Sequence, residues 1–320
     1  MATVKAVVIR DGAVSWDDKT SPTIGEDELL VRVEAAGING ADILQRAGRY
    51  PPPPGTPADM PGLECAGTIE AIGERVSGFR TGERVMGLMA GAGQSELTAV
   101  HQRLALRVPD GLSPAEAGGF TEVFCTAHDA LFSQGSLGIG DKLLVTGAAG
   151  GVGMAAVQLG LAAGADVVAS VRNPDLRSQL EALGAVCAEP AKALGLGPFD
   201  VVLELVGGAG VAQALAALAP WGRYVVIGTG AGSRVEVDLG VLMARRATLR
   251  GSTLRNRSLE EKATVVRRVE HHVLPLVRSG RVRVVVDEAF PFARAQDAYE
   301  HFAAGGKLGK VVLTTSGSPR

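Results

Sequence analysis

Hydrophobic residues change their spacing along this chain of 320 residues. In roughly the first 120 residues, short apolar stretches are separated by Gly and Pro, a pattern typical of β-strands. From about Phe120 to Leu254, apolar strands alternate with helices, which predicts a doubly wound parallel sheet. The strands predicted in the first part are Val4–Ile9, Glu28–Ala35, Ala66–Ile72, Glu83–Leu88 and Glu96–Val100, with one short helix at Ala41–Ala47.

The second half of the chain predicts a parallel sheet followed by a return to the first part. After the sheet we expect one long helix, Leu259–Arg278, with Ser258 as its N-cap and Gly280 just beyond its end. The last residues, Ser316–Arg320, are expected to form a loose tail. The other predicted strands are Lys142–Val145, Val167–Ser170, Asp200–Leu203, Arg223–Ile227, Thr248–Gly251, Val282–Val286 and Lys310–Thr314, with a helix at Ala293–Ala303 before the last one.

One strand-to-helix turn carries candidate chemistry. The strand Lys142–Val145 leads into Thr146–Gly153, which contains the spacing Ala148-x-Gly150-x-x-Gly153, and a helix begins near Met154. Small residues let the backbone approach a pyrophosphate, and the free N–H groups of a helix start favour its negative charge. We therefore interpret this turn as a dinucleotide site and not merely as a tight turn. Its predicted cofactor-binding residues are Ala149, Gly150, Gly151, Val152 and Gly153.

Charge and composition exclude several classes of function. A net charge of −2 gives no electrostatic signature for nucleic acid or an anionic membrane. The start of the chain lacks the apolar core of a signal peptide, and no apolar run approaches the ~20 residues that span a bilayer. The three scattered cysteines favour free thiols over a disulfide framework. We expect a cytoplasmic protein with no nucleic-acid or membrane partner.

The end of the second parallel strand indicates which dinucleotide is bound. The segment Ala169–Asn173 contains no acid that could hold the ribose 2′-OH of NAD, and the first acid is Asp175. Arg172 can pair with a 2′-phosphate and Ser170 can donate a hydroxyl hydrogen bond to it. The sequence therefore predicts NADPH as the cofactor. The alternative is that Arg172 is an ordinary surface charge.

Five segments together resemble a known family: Asn39–Gly55, Pro61–Glu64, Gly147–Gln158, Gly251–Arg255 and Gly309–Leu313. They are similar to the zinc-free quinone oxidoreductases of the medium-chain dehydrogenase/reductase superfamily, and most similar to the branch of the tumour-suppressor-inducible quinone oxidoreductase. The resemblance implies an α/β protein with a GroES-like β-rich catalytic domain at 1–120 and 262–320. It implies a Rossmann-type NADPH-binding domain at 121–261, and hydride transfer from nicotinamide C4 to a quinone.

The resemblance also implies that no catalytic zinc is present. The three ligand positions of zinc-dependent relatives correspond here to Asn39, Leu63 and Glu122, which do not supply the thiolate and imidazole set that zinc prefers. No cysteine cluster exists for a structural zinc. The neighbouring His271 and His272 have no partners at ligand spacing, so we interpret them as an exposed helix face.

Asn39 and Tyr50 are the candidate catalytic residues. The Asn39 amide can hold the cofactor ribose or a substrate carbonyl, and the Tyr50 phenol can donate a proton while its ring stacks on a quinone. The alternative for Tyr50 is a loop aromatic that packs against Pro51–Pro54. Segments that follow other strands of the sheet line the nicotinamide in the family, although each could also be a plain turn. They supply the predicted cofactor-binding residues Val206, Gly228, Thr229, Thr253, Leu254 and Arg255, and the resemblance places Thr126 near the nicotinamide too.

Other functions and the assembly remain open at this point. Reduction of an activated alkene, such as an enone or an enoyl thioester, uses the same cofactor geometry as quinone reduction. A non-catalytic role, as an NADPH-binding sensor or a structural protein, is the alternative of another class. The segment Arg234–Thr253 contains an apolar strand at the edge of the predicted sheet, and exposed edge strands invite pairing. Relatives pair such strands, so we expect a homodimer.

Overall fold

Two sheets of different kinds organise the chain. The computed structural model describes residues 2–315, so the predicted tail Ser316–Arg320 lies outside the described residues. The chain divides after Val123 and after Thr253. We call residues 2–123 with 254–315 the β-rich unit, and Phe124–Thr253 the parallel-sheet unit. The sequence prediction placed the corresponding divisions at 120/121 and 261/262.

The first part of the β-rich unit is a series of antiparallel strands with three short helices. β1 and β2 form a two-stranded sheet of their own, while β3 lies between β4 and a strand from the end of the chain. The elements are β1 Thr3–Arg10, β2 Ala13–Thr20, β3 Glu28–Ile38, α1 Gly40–Arg46, β4 Glu64–Ile72, β5 Arg84–Leu88, β6 Leu97–His101, β7 Ala105–Arg107, α2 Pro114–Gly118 and α3 Thr121–His128, which crosses the division between the units.

The parallel-sheet unit alternates strands and helices, as its apolar runs predict. Its strands lie in the order β10-β9-β8-β11-β12-β13 and are all parallel. The elements are β8 Lys142–Val145, α4 Gly151–Ala162, β9 Asp166–Ser170, α5 Arg177–Glu181, β10 Val186–Ala188, α6 Pro190–Leu194, β11 Phe199–Glu204, α7 Gly210–Ala216, β12 Leu218–Val226, α8 Leu239–Arg245 and β13 Thr248–Gly251. A π-helical turn, Asp129–Gln134, precedes them.

The end of the chain returns to the β-rich unit. Its last strand pairs antiparallel with β3 and completes a seven-stranded sheet in the order β14-β15-β3-β4-β5-β7, with β6 also paired to β3. The elements are α9 Leu259–His272, α10 Leu274–Arg278, β14 Val286–Pro291, α11 Ala295–Ala304 and β15 Lys310–Thr314.

Each unit has its own hydrophobic core. In the β-rich unit, Leu29, Val31 and Ile38 of β3 pack with Phe290 and Tyr299 from the end of the chain. In the parallel-sheet unit, the core is built from residues such as Leu144, Val202 and Tyr224 on three neighbouring strands. The α/β fold class, with a GroES-like β-rich part and a Rossmann-type doubly wound sheet, is confirmed. Among the described residues, no helix has both the length and the apolar character needed to cross a membrane.

Two predicted elements are wrong in detail. The helix expected at Leu259–Arg278 is broken at Val273, because Pro275 has no N–H with which to continue the helical hydrogen bonds. The strand expected at Val282–Val286 is displaced, since pairing with β15 begins only at Val286. Val282 and Val284 are buried as their alternation suggests, but they pack without belonging to the ladder. Burial and strand pairing are therefore separate properties at this position.

Candidate functional site

The parallel-sheet unit offers an anion site at the start of α4. The N-cap is Gly150, and no side chain caps the helix, so the N–H groups of its first turn are left for a ligand. The first N–H that bonds back within the helix belongs to Met154, which donates to the Gly150 carbonyl at 2.8 Å. β8 and β11 are neighbours at the point where the strand order reverses, and doubly wound sheets bind ligands beyond such a point. The predicted turn thus fits a dinucleotide pyrophosphate.

The glycines of this turn have different roles. A Cβ on Gly153 would lie 2.6 Å from both the Ala148 Cα and the Gly147 carbonyl oxygen, so Gly153 lets α4 pack on the turn. Gly147 has φ +60°, a left-handed conformation that favours glycine. A Cβ on Gly150 would meet only the Gly147 carbonyl oxygen, at 3.5 Å. Gly150 is therefore the member of the three with open space beside it, where a ligand can approach.

A buried glutamate joins the loops at this end of the sheet. Glu204 ends β11 and is 3% exposed. Its Oε1 accepts hydrogen bonds from the Thr146 hydroxyl at 2.7 Å and from the N–H groups of Val206 and Gly207 at 2.7 and 2.8 Å. Its Oε2 accepts from the Tyr224 hydroxyl at 2.5 Å. One carboxylate therefore connects the turn after β8, the turn after β11 and the Tyr224 side chain of β12.

Burial keeps the Tyr224 hydroxyl, which donates to Glu204, in its protonated form. Desolvation raises the pKa of Tyr224, and the neighbouring Glu204 charge raises it further. The phenol stays protonated and donates to Glu204. The backbone carbonyl of Glu204 also accepts from the N–H groups of Ile227 and Gly228, at 2.9 and 3.0 Å. Gly228 is one of the predicted cofactor contacts, so the same residue fixes that turn as well.

The predicted 2′-phosphate residues lie at the end of β9. Ser170 is the last residue of the strand and is buried, while Arg172 is exposed two positions later. A second arginine, which the sequence prediction missed, lies beside them. Arg177 donates from Nε and Nη2 to the Val171 carbonyl at 3.1 and 3.0 Å, and so holds the backbone that carries Arg172. No motif in the sequence distinguishes Arg177 from an ordinary residue of a surface helix.

The other predicted cofactor residues are distributed over both units. Thr126 lies in α3, Val206 is 40% exposed after β11, and Thr229 follows β12, all in the parallel-sheet unit. Thr253 follows β13 and is the last residue of that unit. Leu254 and Arg255, by contrast, belong to the β-rich unit. Their predicted contact with the cofactor stays a prediction.

In the β-rich unit, the candidate catalytic residue Asn39 belongs to a buried polar cluster. Its Nδ2 donates to Glu64 Oε1 at 2.9 Å, and its Oδ1 accepts from the Lys310 ammonium at 2.7 Å. Lys310 also lies 2.6 Å from Glu64 Oε1, and both side chains are almost fully buried, at 3% and 0% exposed. The second oxygen of Glu64 accepts from the Glu122 N–H at 2.9 Å. We call Asn39, Glu64 and Lys310 the buried triad.

Two buried carboxylates, Glu64 and Asp42, lie close to Asn39. A Cβ on Gly37 would lie 2.3 Å from Glu64 Oε1, so a larger residue there would displace this carboxylate. Asn39 caps α1 in a capping box in which its N–H donates to Asp42 Oδ2 at 2.8 Å. The other oxygen of Asp42 accepts from the Gly62 N–H at 2.9 Å. Two buried carboxylates therefore hold Asn39, one through its side chain and one through its backbone.

The contribution of buried Asp42 to the stability of the fold depends on pH. Desolvation raises its pKa from 3.8 to about 6, although the hydrogen bonds from the Gly62 and Asn39 N–H groups act in the opposite direction and lower it. Because the folded pKa is raised, the stabilising contribution of the protonated form is complete below the ordinary pKa and is lost as the pH rises through about 6. At neutral pH Asp42 is ionised, and both of its oxygens accept backbone hydrogen bonds.

The second candidate catalytic residue, Tyr50, is held by an arginine. Arg255 lies over its ring, with 5.2 Å from the guanidinium carbon to the ring centroid, and donates to its backbone carbonyl at 3.1 Å. Arg255 is 5% exposed and is fixed in turn by Gln45 Oε1 at 2.6 Å and the Ala90 carbonyl at 2.7 Å. Burial raises the pKa of Tyr50, as does the Glu122 charge, so the phenol is a neutral donor at physiological pH.

The residues of this region do not suit a metal ion. Among residues 2–315, no group of three or more His, Cys, Asp and Glu side chains could hold one. Leu63 offers no donor atom, Asn39 offers only an amide, and the Asn39 oxygen is already bonded to an ammonium group. Zinc sites in proteins use thiolates, imidazoles and carboxylates in a tetrahedral set, which the buried triad cannot provide.

Comparison with known proteins identifies the superfamily. The family model described as "Alcohol dehydrogenase GroES-like domain" matches residues 25–135, and that described as "Zinc-binding dehydrogenase" matches residues 163–313. The chain belongs to the medium-chain dehydrogenase/reductase superfamily. Quinone oxidoreductase from Lama guanicoe is 28% identical over 308 residues, which cover 92% of this chain and 91% of that protein.

Other relatives in the superfamily are much longer. A phenolphthiocerol/phthiocerol polyketide synthase of Mycobacterium tuberculosis is 30% identical over 299 residues. The match covers 90% of this chain but only 14% of that protein. The chain is thus similar to one part of a polyketide synthase, and the activity of the whole synthase does not carry over to it.

Two solved structures cover nearly the whole chain. The CurK enoyl reductase has a TM-score of 0.83 at 25% identity and covers 98% of this chain and 99% of its own. The mycobacterial protein Rv1454c, solved in complex with NADPH, has a TM-score of 0.85 at 25% identity, with 97% and 99% covered. These neighbours support a nicotinamide cofactor and an oxidoreductase of the medium-chain type.

Sequence reasoning missed several residues that fix the predicted cofactor-binding and catalytic residues within each unit of this superfamily member. Glu204, Tyr224 and Arg177 carry no motif, and Lys310 stands out only as part of a matching segment. What identifies Glu204, Tyr224 and Lys310 is burial next to partners that are distant in the sequence, whereas Arg177 is partly exposed and bonds to the nearby Val171 carbonyl. The available signal was weak: a glutamate that directly follows an apolar run, Val201–Leu203, at the carboxyl end of a predicted buried strand.

We expect Glu204 to determine nicotinamide-nucleotide binding. Glu204→Leu removes the acceptor of the Val206 and Gly207 N–H groups and of the buried Tyr224 hydroxyl, and a buried group left unpaired costs about 1–3 kcal/mol. We expect a lower urea midpoint and at least about tenfold weaker NADPH binding, measured by nucleotide fluorescence, since about 1.4 kcal/mol is tenfold in affinity. Glu204→Gln keeps an acceptor oxygen, and its amide can donate to the Tyr224 hydroxyl, so binding should stay within a few-fold of wild type.

The glutamine variant is the matched control for size and shape. Equal NADPH affinity in the leucine variant and the wild type would contradict the role assigned to Glu204. A loss of stability without a loss of affinity would contradict it as well.

Proposed function

We propose that the chain is a zinc-independent, NADPH-dependent quinone oxidoreductase. The observation that carries the proposal is the buried triad: an amide, Asn39, stands at one of the positions where zinc-dependent relatives have metal ligands, and its oxygen accepts from the Lys310 ammonium. In zinc-dependent alcohol oxidation, the metal acts as a Lewis acid that stabilises the alkoxide. A quinone needs no such help, because its reduced oxygen is a stabilised phenolate. The resemblance to the tumour-suppressor-inducible branch supports the same acceptor class.

The residues of the β-rich unit would orient the acceptor and provide a proton. NADPH, when bound, supplies a hydride from nicotinamide C4, and one proton completes the hydroquinone. Tyr50 is a neutral phenol whose pKa is raised by burial, so it can donate a hydrogen bond or a proton to the reduced oxygen. Arg255 holds its ring and its backbone carbonyl. Asn39 cannot titrate, and we propose that it positions the cofactor ribose or the substrate carbonyl.

A second enzymatic function is favoured by a specific similarity. The CurK enoyl reductase covers 98% of the chain, and polyketide synthases are among the relatives. Reduction of an activated alkene delivers the hydride to carbon, and negative charge develops on the conjugated oxygen. The same donors would serve that reaction. A non-catalytic NADPH-binding role is the remaining alternative, and the polar residues retained around Asn39 and Tyr50 argue against it.

A panel of hydride acceptors tests the proposal. We expect initial rates with NADPH and naphthoquinones to exceed those with alkyl enones and crotonyl-CoA. We expect chelators to leave the rates unchanged. Tyr50→Phe should lower kcat by about 100-fold, at the lower end of the range for the loss of one general acid, with a smaller change in the KM for NADPH. Negligible rates with quinones beside high rates with enones would contradict quinone reduction and favour the reduction of an activated alkene. Tight NADPH binding with no oxidation by any acceptor would favour the sensor.

We propose NADPH over NADH because of the end of β9. Two arginines lie there without an acid that would hold a ribose hydroxyl: Arg172 is exposed, and Arg177 braces its backbone. Rv1454c binds NADPH in its solved structure, which supports the same cofactor here. A guanidinium group matches the geometry of a phosphate with two parallel hydrogen bonds.

Arg172→Ala should change the choice of cofactor and little else. We expect the KM for NADPH to rise by about 10-fold or more, since charge-assisted hydrogen bonds contribute about 1.5–3 kcal/mol. The KM for NADH should change by less than about twofold, since NADH has no 2′-phosphate for Arg172 to bind. Lys192→Ala is the matched control, because Lys192 is an exposed cation of the same unit that pairs with Glu189. Equal changes for both nucleotides would contradict a phosphate contact.

We also propose a homodimer that forms through the free edge of the parallel sheet. β13 pairs only with β12 in the described sheet, and all four of its residues are exposed. Leu249 of this strand is 39% exposed, and the neighbouring helix α8 exposes Leu239 and Met243 at 68% and 78%. Apolar side chains around an unpaired edge favour pairing with a second copy. The free thiols support a reducing, cytoplasmic setting for this assembly.

The mass in solution tests the dimer. We expect light scattering at micromolar concentration to give twice the chain mass for the wild type. Leu249→Glu should give a monomer, because a symmetric contact would bring two like charges together. Ile139→Glu is the control, since Ile139 is 91% exposed and lies outside the edge strand. A monomeric wild type would refute the proposal.

A further inference from the structure

Positive charge is concentrated in one segment of the β-rich unit. Residues 257–283 hold seven Arg and Lys and three acids, a formal charge of +4, whereas the whole chain carries −2. The rest of the chain is therefore acidic, at −6. The segment contains α9 and α10, and none of the candidate catalytic residues belongs to it.

The exposed face of α9 presents part of this charge as a stripe. The spacing i, i+3, i+4, i+7, i+8 places five exposed residues on one side of the helix, over a length of about 12 Å. They are Thr264, Arg267, Arg268, His271 and His272. The other side of the helix is buried through its valines. None of the five positions is acidic, so the stripe is a surface of one sign.

A second element adds another arginine to the stripe. The 3₁₀ turn Gln102–Leu104 packs beside α9, and its Arg103 donates from both Nη atoms to the carboxylate of Glu260, one turn before the stripe. A surface pocket of about 310 Å³ lies here, and its lining consists of Arg103, Ala263 and the residues of the stripe. We call it the basic pocket.

The stability of α9 explains only part of this arrangement. Cations in the last turn of a helix interact favourably with its dipole, which accounts for His271 and His272. The effect falls off beyond the last turn, so it does not account for Arg267 and Arg268. Arg103 belongs to another element altogether. The three arginines that line the pocket therefore need a different explanation.

The acids next to the basic pocket are weakly held partners. Arg103 and Glu260 are 40% and 73% exposed, and Arg267 lies 3.1 Å from Glu270 with 66% and 40% exposed. Exposed ion pairs contribute little to stability. These guanidinium groups can therefore exchange a carboxylate for an incoming anion at little cost. Glu260 in particular competes with such an anion for Arg103.

We propose that the basic pocket binds a small anion that carries two or more phosphate groups. Guanidinium groups bind phosphate oxygens through two parallel hydrogen bonds, and three of them line one volume. A phosphate ester brings close to two negative charges to one point, whereas a carboxylate brings one. The volume lies at the small end of the range for ligand sites, about 300–1,000 Å³. The site is distinct from the turn at the start of α4, which belongs to the parallel-sheet unit.

Calorimetric titration of the whole chain with tripolyphosphate tests the site. Saturating NADPH is present, so that the start of α4 is occupied. We expect one equivalent of tripolyphosphate to bind, more tightly than orthophosphate or citrate, an anion with three carboxylates. Arg267→Ala/Arg268→Ala should weaken binding at least about tenfold, because charge-assisted hydrogen bonds are lost. Its urea midpoint should stay near that of the wild type, since alanine is the best helix former.

A charge-neutral double substitution separates a defined site from a general excess of charge. Arg103→Ala/Glu260→Ala keeps the net charge but removes one guanidinium group from the pocket. Affinity for tripolyphosphate should fall by about fivefold or more, because the removal of Glu260 offsets only part of the loss. Glu260→Gln alone removes the competing charge and should strengthen binding.

The matched controls use an exposed ion pair of the same unit. Arg294 and Asp297 lie 2.6 Å apart, are 62% and 48% exposed, and do not line the basic pocket. Arg294→Ala/Asp297→Ala and Asp297→Asn should leave the affinity within about twofold, because distant exposed charges are screened by salt.

Three results would overturn the proposal. They are no binding of tripolyphosphate beside NADPH, equal affinity in the wild type and in Arg267→Ala/Arg268→Ala, and an effect of the control pair as large as that of Arg103→Ala/Glu260→Ala. Citrate binding as tight as tripolyphosphate binding would overturn the phosphate class. If the chain binds no NADPH, the proposed function fails, and the same titration without NADPH still decides the basic pocket through Arg267 and Arg268.

Discussion

A carboxylate buried away from water must be given partners, and this constraint organises the β-rich unit. Glu64 is fully buried, and an isolated charge in that position would be far too costly to keep. Its partners come from three distant parts of the chain: Asn39 after β3, Lys310 at the start of β15, and the Glu122 N–H at the start of α3. The returning strand β15 is therefore tied to the first strands by charge as well as by its ladder with β3.

The buried charges of the β-rich unit balance as a group. Its described, buried charged residues are two acids, Asp42 and Glu64, and two bases, Arg255 and Lys310. Lys310 contacts Glu64 directly, and Arg255 is fixed by Gln45, the Ala90 carbonyl and Tyr50. A charge change at one member leaves another uncompensated, which costs more than a surface ion pair would. A substitution among the polar residues near Tyr50 is therefore expected to change the stability of the unit as well as the proposed chemistry.

The sequence predicts the sheet better than it predicts the site. The strands Lys142–Val145, Thr248–Gly251 and Lys310–Thr314 have the predicted bounds. The first and the last of them are largely buried and leave an apolar run in the sequence. β2 was missed since its segment, Ala13–Thr20, is mostly polar and packs only in part. The fingerprint turn is visible because its spacing is local. Glu204, by contrast, looks like any glutamate after a strand. Its burial and its bonds to Thr146 and Tyr224 depend on which strands become neighbours.

The proposed zinc-independent chemistry favours a particular kind of acceptor. Quinones and conjugated alkenes are electron-poor by their own structure and accept a hydride without a Lewis acid. Both reactions place negative charge on an oxygen, and a neutral phenol such as Tyr50 can stabilise that charge in either case. The two reactions differ in where the proton finally goes: to oxygen in the hydroquinone, and to carbon in the saturated product. In the proposed function the same polar residues would serve either reaction, and the choice between the two acceptors would depend on the shape of the apolar surface that receives them.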